Sequence, residues 1–290
     1  FTIKMKEIRF LYLFLWFIIP ASAQFKGIVV DENDNPIPYV NIWIEGSTIG
    51  TSSEENGTFI IHANNENSNL IFNYLGYEKK IIVAKDCQKV VLKELAIELN
   101  EVFITKRLET KRKEIGTNKN SIFEAFTKAP KVDCKFFPYL PEYKKTPYIK
   151  YVSLFTDSKI EDASIKIYFY TVGKDGLPGE NLLEKEKIVY LKKGIFNKKF
   201  DVSEYHLVFP KTGIFVVIEK LMIEKNRLEK TTIDKNSNLP KTERLYFPFL
   251  LYNNVDRKDK FTFFGGKWIK EESQEKISLY EPAINIVLTN

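Results

Sequence analysis

The sequence predicts an all-β protein built as two β-sandwiches in tandem. Three observations carry this. Phe and Tyr number 23 and 15 in 290 residues, and aromatic side chains fit half-buried pleated surfaces. Short apolar runs alternate with polar residues at a period of two. Turn-forming clusters of Asn, Gly, Asp and Pro separate those runs at short, regular spacing. At 44% hydrophobic and 28% charged residues, the chain has ordinary globular composition and enough apolar material for a buried core.

The first series of strands runs from Phe25 to Lys106. Phe25–Asp31 is the first, ended by the polar turn Glu32-Asn33-Asp34-Asn35-Pro36. In Tyr39–Glu45 the apolar Val40, Ile42 and Ile44 alternate with Tyr39, Asn41, Trp43 and Glu45. Glu55-Asn56-Gly57 is a hairpin signal, because Asn-Gly tolerates positive φ at both central positions. Thr58–Ala63, Leu70–Leu75, Lys79–Ala84, Lys89–Leu95 and Asn100–Thr105 complete the series. Residues 24–106 are therefore expected to form one small sandwich.

Residues 107–147 are expected to be a linker. Lys106, Arg107, Lys111, Arg112 and Lys113 crowd its start, but Glu109 and Glu114 interrupt the run, so it reads as a solvated stretch rather than an anion-binding patch. Pro130, Pro138, Pro141 and Pro147 argue against a long helix. Residues 148–290 are expected to form the second sandwich or jelly roll. Its expected strands are Tyr148–Thr156, Ser164–Val172, Lys187–Leu191, Phe196–Val202, Gly213–Ile223, Leu245–Tyr252, Lys260–Phe264, Lys267–Lys270 and Ala283–Thr289. Gly173 to Gly179 is a turn cluster.

The N-terminus reads as an export signal over residues 1–23. Lys4, Lys6 and Arg9 precede the apolar run Phe10–Ile19, then Pro20 and the A-x-A site Ala21-Ser22-Ala23. Ten apolar residues give about 15 Å of helix, half of what a bilayer core of about 30 Å needs. Cleavage is expected before Gln24, and Met5 is a plausible start. No Cys follows the site, which argues against a lipid anchor. In an oxidising compartment a disulfide between Cys87 and Cys134 is permitted; two free thiols are expected. The net charge of +6, from 44 basic and 38 acidic residues interspersed along the chain, gives no dedicated nucleic-acid surface.

The first module resembles a known family. Gly27 to Asp31, Asn35-Pro36-Ile37-Pro38-Tyr39-Val40-Asn41-Ile42, Gly50-Thr51, Glu55-Asn56-Gly57-Thr58-Phe59, Leu75-Gly76-Tyr77 and Leu99-Asn100-Glu101-Val102 follow one another in the order of the carboxypeptidase regulatory-like domain. The resemblance implies a transthyretin-like β-sandwich. It also implies a Gram-negative envelope setting (periplasm, outer membrane or cell surface), since such modules stand at the mature N-terminus of TonB-dependent outer-membrane receptors. The roughly 185 residues after Thr105 are too few for the plug and barrel of such a receptor, so a free-standing exported protein is expected.

The residues give no catalytic site. The chain has only two His. Neither His62, with Glu66 four residues on at a strand end, nor His206, followed by Leu207-Val208-Phe209, has the His–Glu spacing of a zinc peptidase. No G-x-S-x-G elbow is present, and Gly46-Ser47-Thr48-Ile49-Gly50 lies in a turn. Asp31 to Asn35 begins like a calcium loop, but Pro36 stands where Gly is needed and Ser47, Thr48 and Ile49 supply no closing Glu. No cofactor, metal or catalytic residue is therefore assigned. The expected role is a non-catalytic envelope protein that binds or scaffolds an envelope protein or polysaccharide. One alternative is glycan binding through aromatics of the second half: Phe136, Phe137, Tyr139, Tyr143 and Tyr148, then Tyr246, Phe247, Phe249 and Tyr252, then Phe261, Phe263, Phe264 and Trp268. The bland reading of those rings is core, which the alternation of Phe261 and Phe263 supports. The other alternative is an accessory subunit of an envelope peptidase or a TonB-dependent uptake system.

Overall fold

The computed structural model describes residues 23–63, 65–95, 107–116, 122–123, 132–233, 239–264 and 266–290. The export signal expected at residues 1–23, apart from Ala23, and the strand expected at Asn100–Thr105 lie outside the described residues.

The first sandwich is made of β1 (Ala23–Val30), β2 (Asn41–Ile44), β3 (Gly50–Ser52), β4 (Thr58–Ala63), β5 (Asn69–Asn73), β6 (Lys80–Val83) and β7 (Lys89–Val91). One sheet has the order β4-β1-β7 and the other β3-β2-β5-β6. Every pairing is antiparallel except β1 with β7. Val29, Phe59, Ile61 and Val90 of the first sheet meet Ile42, Ile44, Leu70 and Phe72 of the second in one core. β4 shows the cause most simply: its residues alternate exposed and buried throughout, as a period-two strand covering a core must. Gly27 is required by close approach, since a Cβ there would stand 2.0 Å from the main-chain oxygen of Cys87.

The turn at Asn56-Gly57 differs from the expectation. Only Gly57 takes a positive φ, 77°. Its N–H donates to the Glu54 carbonyl at 2.9 Å, and the Glu54 N–H donates to the Thr58 carbonyl at 2.7 Å. The turn carries the chain from β3 of one sheet to β4 of the other, so no two-residue hairpin ladder is needed.

The second body comprises β8 (Arg112–Gly116), β9 (Ile122–Phe123), β10 (Val132–Phe137), β11 (Tyr148–Ser158), β12 (Ala163–Val172), β13 (Pro178–Asn181), β14 (Lys187–Leu191), β15 (Gly194–Asp201), β16 (Ile214–Lys220), β17 (Arg227–Ile233), β18 (Pro240–Tyr246), β19 (Phe249–Phe264), β20 (Lys267–Pro282) and β21 (Ile284–Thr289). A five-stranded sheet runs β10-β16-β12-β13 with β14 also on β12. A seven-stranded sheet runs β20-β19-β11-β21-β8, with β15 on β11 and β9 on β19. Ile165, Ile167, Phe169, Val216 and Ile218 of the first pack on Val152, Leu154, Ile284, Ile286 and Leu288 of the second.

Three expectations are corrected here. The stretch 107–147 is not a bare linker: β8 pairs with β21, β9 with β19 and β10 with β16. Pro138, Pro141 and Pro147 fall between β10 and β11, at positions that lose no ladder hydrogen bond, and Pro130 lies outside the described residues. Cys134 accordingly sits in β10, while Cys87 lies in the first core, and both are free thiols. The run Leu245–Tyr252 is divided at Phe247-Pro248 between β18 and β19. The two short strands expected at Lys260–Phe264 and Lys267–Lys270 are the end of one long hairpin, β19–β20, of 16 residues per arm.

Candidate functional site

The two sandwiches meet through faces that alternation alone would assign to solvent. In β12, Ile165, Ile167 and Phe169 point into the second core, so Lys166, Tyr168 and Tyr170 project from the opposite face. In β16, Phe215, Val217 and Glu219 project likewise. In the first sandwich, Ile42, Ile44, Leu70 and Phe72 fill the core, which leaves Asn41, Trp43, Ile71 and Asn73 on the outer face. These two outer faces oppose each other.

Several contacts join them. The Lys166 ammonium, fully buried, donates to the Tyr39 carbonyl at 2.6 Å and to Glu186 Oε1 at 2.6 Å. It also stands 4.7 Å from the centre of the Tyr74 ring. Met222 N–H donates to Ser52 Oγ at 3.2 Å, and Glu224 N–H donates to Glu54 Oε1 at 2.9 Å. Tyr39, Leu221 and Ile223 close a small apolar cluster at the junction.

The tip of the β19–β20 hairpin completes the arrangement. Phe261 packs edge-on against Phe215, with ring centres 4.9 Å apart. Phe263 lies 5.4 Å from Trp43 of the first sandwich and 5.0 Å from Trp268 on its own hairpin, both edge-to-face. A cleft of about 310 Å³ remains between the two sandwiches and the hairpin tip. Its walls include Trp43, Tyr74, Tyr77, Phe263 and Trp268; Asn41, Asn73 and Asn181 also line it, with Tyr168, Tyr170 and Glu219 from the five-stranded sheet.

The polar groups of this sheet face are linked. Tyr168 Oη lies 2.9 Å from Glu219 Oε2 and 3.1 Å from Glu186 Oε1. Glu219 Oε1 and Glu186 Oε2 are buried without a hydrogen-bond donor. Burial pushes the Glu219 carboxyl above the usual carboxylate range; Lys166 and Asn41 oppose that shift, and Glu186 adds to it. Burial, then the neighbouring carboxylates, raises the Tyr168 and Tyr170 phenols as well. Tyr74 is raised by burial first and Glu186 second.

Other sequence-stressed residues lie elsewhere. His62 is exposed on β4, and His206 is exposed with φ 49° after the short 3-10 turn Ser203–Tyr205. Asp31 closes a polar turn on itself: Oδ1 accepts from the N–H groups of Asn33 and Asn35 at 2.8 Å each, and Oδ2 from the Asn35 amide at 2.9 Å. Those bonds, the Asn35 side chain foremost, hold its carboxyl below the usual range. Among the described residues, no three His, Cys, Asp or Glu side chains group so as to hold a metal ion.

The aromatic residues divide between core and cleft. Phe137, Tyr143, Phe247 and Tyr252 are buried, and Phe136 and Phe261 cover the outer face of the five-stranded sheet. Phe263 and Trp268 reach the cleft. Sequence reading singled out neither Lys166, Glu186 and Glu219 nor the aromatic residues of the first sandwich. The available signal was a lysine followed by two tyrosines on one face of β12, repeated by Glu219 on β16.

Comparison with known proteins bears on the first module. Residues 25–104 match the family model of the CarboxypepD_reg-like domain, as the motif order implied. Over 127 residues the chain is 28% identical to a TonB-dependent receptor P3 of Formosa agariphila, a match covering 42% of this chain and 13% of the receptor. The chain thus spans about an eighth of that relative's length. Among solved structures, that of infectious bursal disease virus Gx strain aligns with 91% of this chain and 62% of its own, at 9% identity and a TM-score of 0.23. BcpA, the major pilin subunit of Bacillus cereus, aligns with 90% of this chain and 85% of its own, at 12% identity and a TM-score of 0.19. Scores this low carry no argument about fold or role.

Proposed function

We propose that this is a non-catalytic, exported protein of the cell envelope that works by binding, with the cleft between its two sandwiches as the binding site. The cleft carries the reading. Aromatic rings from both sandwiches and the hairpin converge there around buried polar groups, which is the usual make-up of a ligand site. The regulatory-like first module and the receptor relative support an envelope setting and a role without catalysis. His62 and His206 stand exposed in separate sandwiches, outside the cleft. The charged, apolar and A-x-A pattern read in residues 1–23 as an export signal supports passage out of the cytoplasm.

Capture from native envelope tests this. The full chain is used as bait beside a Trp268→Ala variant, and retained material is identified by mass spectrometry and glycan analysis. An envelope protein or polysaccharide held by the wild type and released by the variant is the expected result. Equal retention by both removes the cleft from the account. A glycan as the retained material favours the sugar-binding reading, for which Trp43, Phe263 and Trp268 supply the flat rings.

A further inference from the structure

A polar cluster at the cleft wall, of which Glu219 lines the cleft itself, sets two carboxyl groups against one ammonium. Glu186 and Glu219 are both carboxylates of this cluster, and Lys166 is the ammonium bonded within it. Glu219 is 3% exposed, lines the cleft, and keeps Oε1 without a donor. A buried carboxylate oxygen left unpaired is costly, and a donor carrying positive charge relieves it best. Lys79 also lines the cleft but is exposed.

The walls favour the same kind of group. Trp43, Tyr74, Tyr77, Phe263 and Trp268 surround the space, and the faces of aromatic rings attract cations. Asn41, Asn73 and Asn181 add amides that can exchange hydrogen bonds with hydroxyls. The volume of about 310 Å³ lies at the low end of ligand sites, which run from roughly 300 to 1,000 Å³. That suits one sugar ring rather than a chain of them.

We propose that the cleft binds an aminated sugar, with its ammonium directed to Glu219 and its ring held by the Trp43, Phe263 and Trp268 wall. This rests on the binding role proposed above and names its ligand class. A hydroxyl in place of the amine can donate to the same oxygen but brings no charge to a buried carboxyl, so it binds there more weakly. An ammonium supplies the donor that Glu219 Oε1 lacks and favours the ionised form of that carboxyl.

Trp43 and Trp268, two of the three tryptophans in the chain, line the cleft and report its occupancy. The full chain is titrated with glucosamine, glucose and N-acetylglucosamine while tryptophan emission is followed. Glucosamine is expected to give a saturable change, with the two neutral sugars at least about tenfold weaker. Glu219→Gln keeps an acceptor for Tyr168 and is expected to lose that preference while its unfolding midpoint shows it folded. If it does not fold, Phe263→Ala serves instead and is expected to weaken all three sugars together. Equal binding of glucosamine and glucose overturns the ammonium assignment and leaves the wider binding role standing. No response to any of the three overturns the proposal, and the capture experiment with Trp268→Ala then judges the wider role alone.

Discussion

The Lys166 ammonium donates a 2.6 Å hydrogen bond to the main-chain oxygen of Tyr39, 127 residues earlier in the chain. This bond ties β12 of the second sandwich to the approach to β2 in the first. It also fixes the side of Lys166 that does not pair with Glu186. Removing the ammonium strands a buried carboxylate as well as a carbonyl. Lys166→Met is therefore expected to destabilise the protein by about 3–5 kcal/mol. Denaturant unfolding followed by tryptophan emission measures it; a change within about 0.5 kcal/mol contradicts the buried bridge.

Glu219 predicts a pH dependence of stability. Its folded carboxyl titrates above the ordinary value of 4.5 because it is buried. Between those two values the folded chain holds a proton that the unfolded chain has lost. Unfolding then releases a proton, so this group's contribution falls as pH rises through that window. The cost is absent below the ordinary range and complete above the raised one. Lys166, Glu186, Tyr168 and Tyr170 face the same cluster, with Tyr74 from the first sandwich. Unfolding midpoints across a pH series are expected to decline less steeply in Glu219→Gln than in wild type. Parallel curves contradict the assignment.

Gly57 combines a φ of 77° with crowding, since an added Cβ would meet the Val29 carbonyl oxygen at 2.7 Å. Gly57→Val is expected to cost about 2 kcal/mol or more, from backbone strain and displacement of β1. Denaturant unfolding of the full chain checks this, and an unchanged midpoint contradicts the turn geometry.

Phe263 touches both tryptophans of the cleft. Phe263→Ala is expected to shift their emission to longer wavelength as water enters, with a stability loss of about 1–2 kcal/mol. Unaltered emission places the hairpin tip away from Trp43.

Much of the fold was legible because alternation marks which side chains enter a core. Thr58–Ala63 and Lys187–Leu191 stand where the pattern put them. What alternation cannot give is the fate of the second face. Trp43 and Lys166 both fall on the non-core face of their strands, yet both are buried, because one sandwich covers the other. That cover comes from residues more than a hundred positions away in sequence. The strands β8 and β10 were missed for a related reason: β8 is short and charged, and β10 carries Asp133, Cys134 and Lys135 in mid-strand. Each is held by pairing with a strong apolar partner, β21 or β16, rather than by its own pattern. The centre of the β19–β20 hairpin, rich in Asp, Lys and Glu, hid its length in the same way.

Hydrogen–deuterium exchange of the full chain, alone and with native envelope extract, tests the central claim that binding occurs where the sandwiches meet. The account predicts added protection at residues 71–79 and 266–270, which come together at the cleft, with little change on the exposed strand β15. Protection confined to other surfaces, or none at either cleft segment, contradicts it.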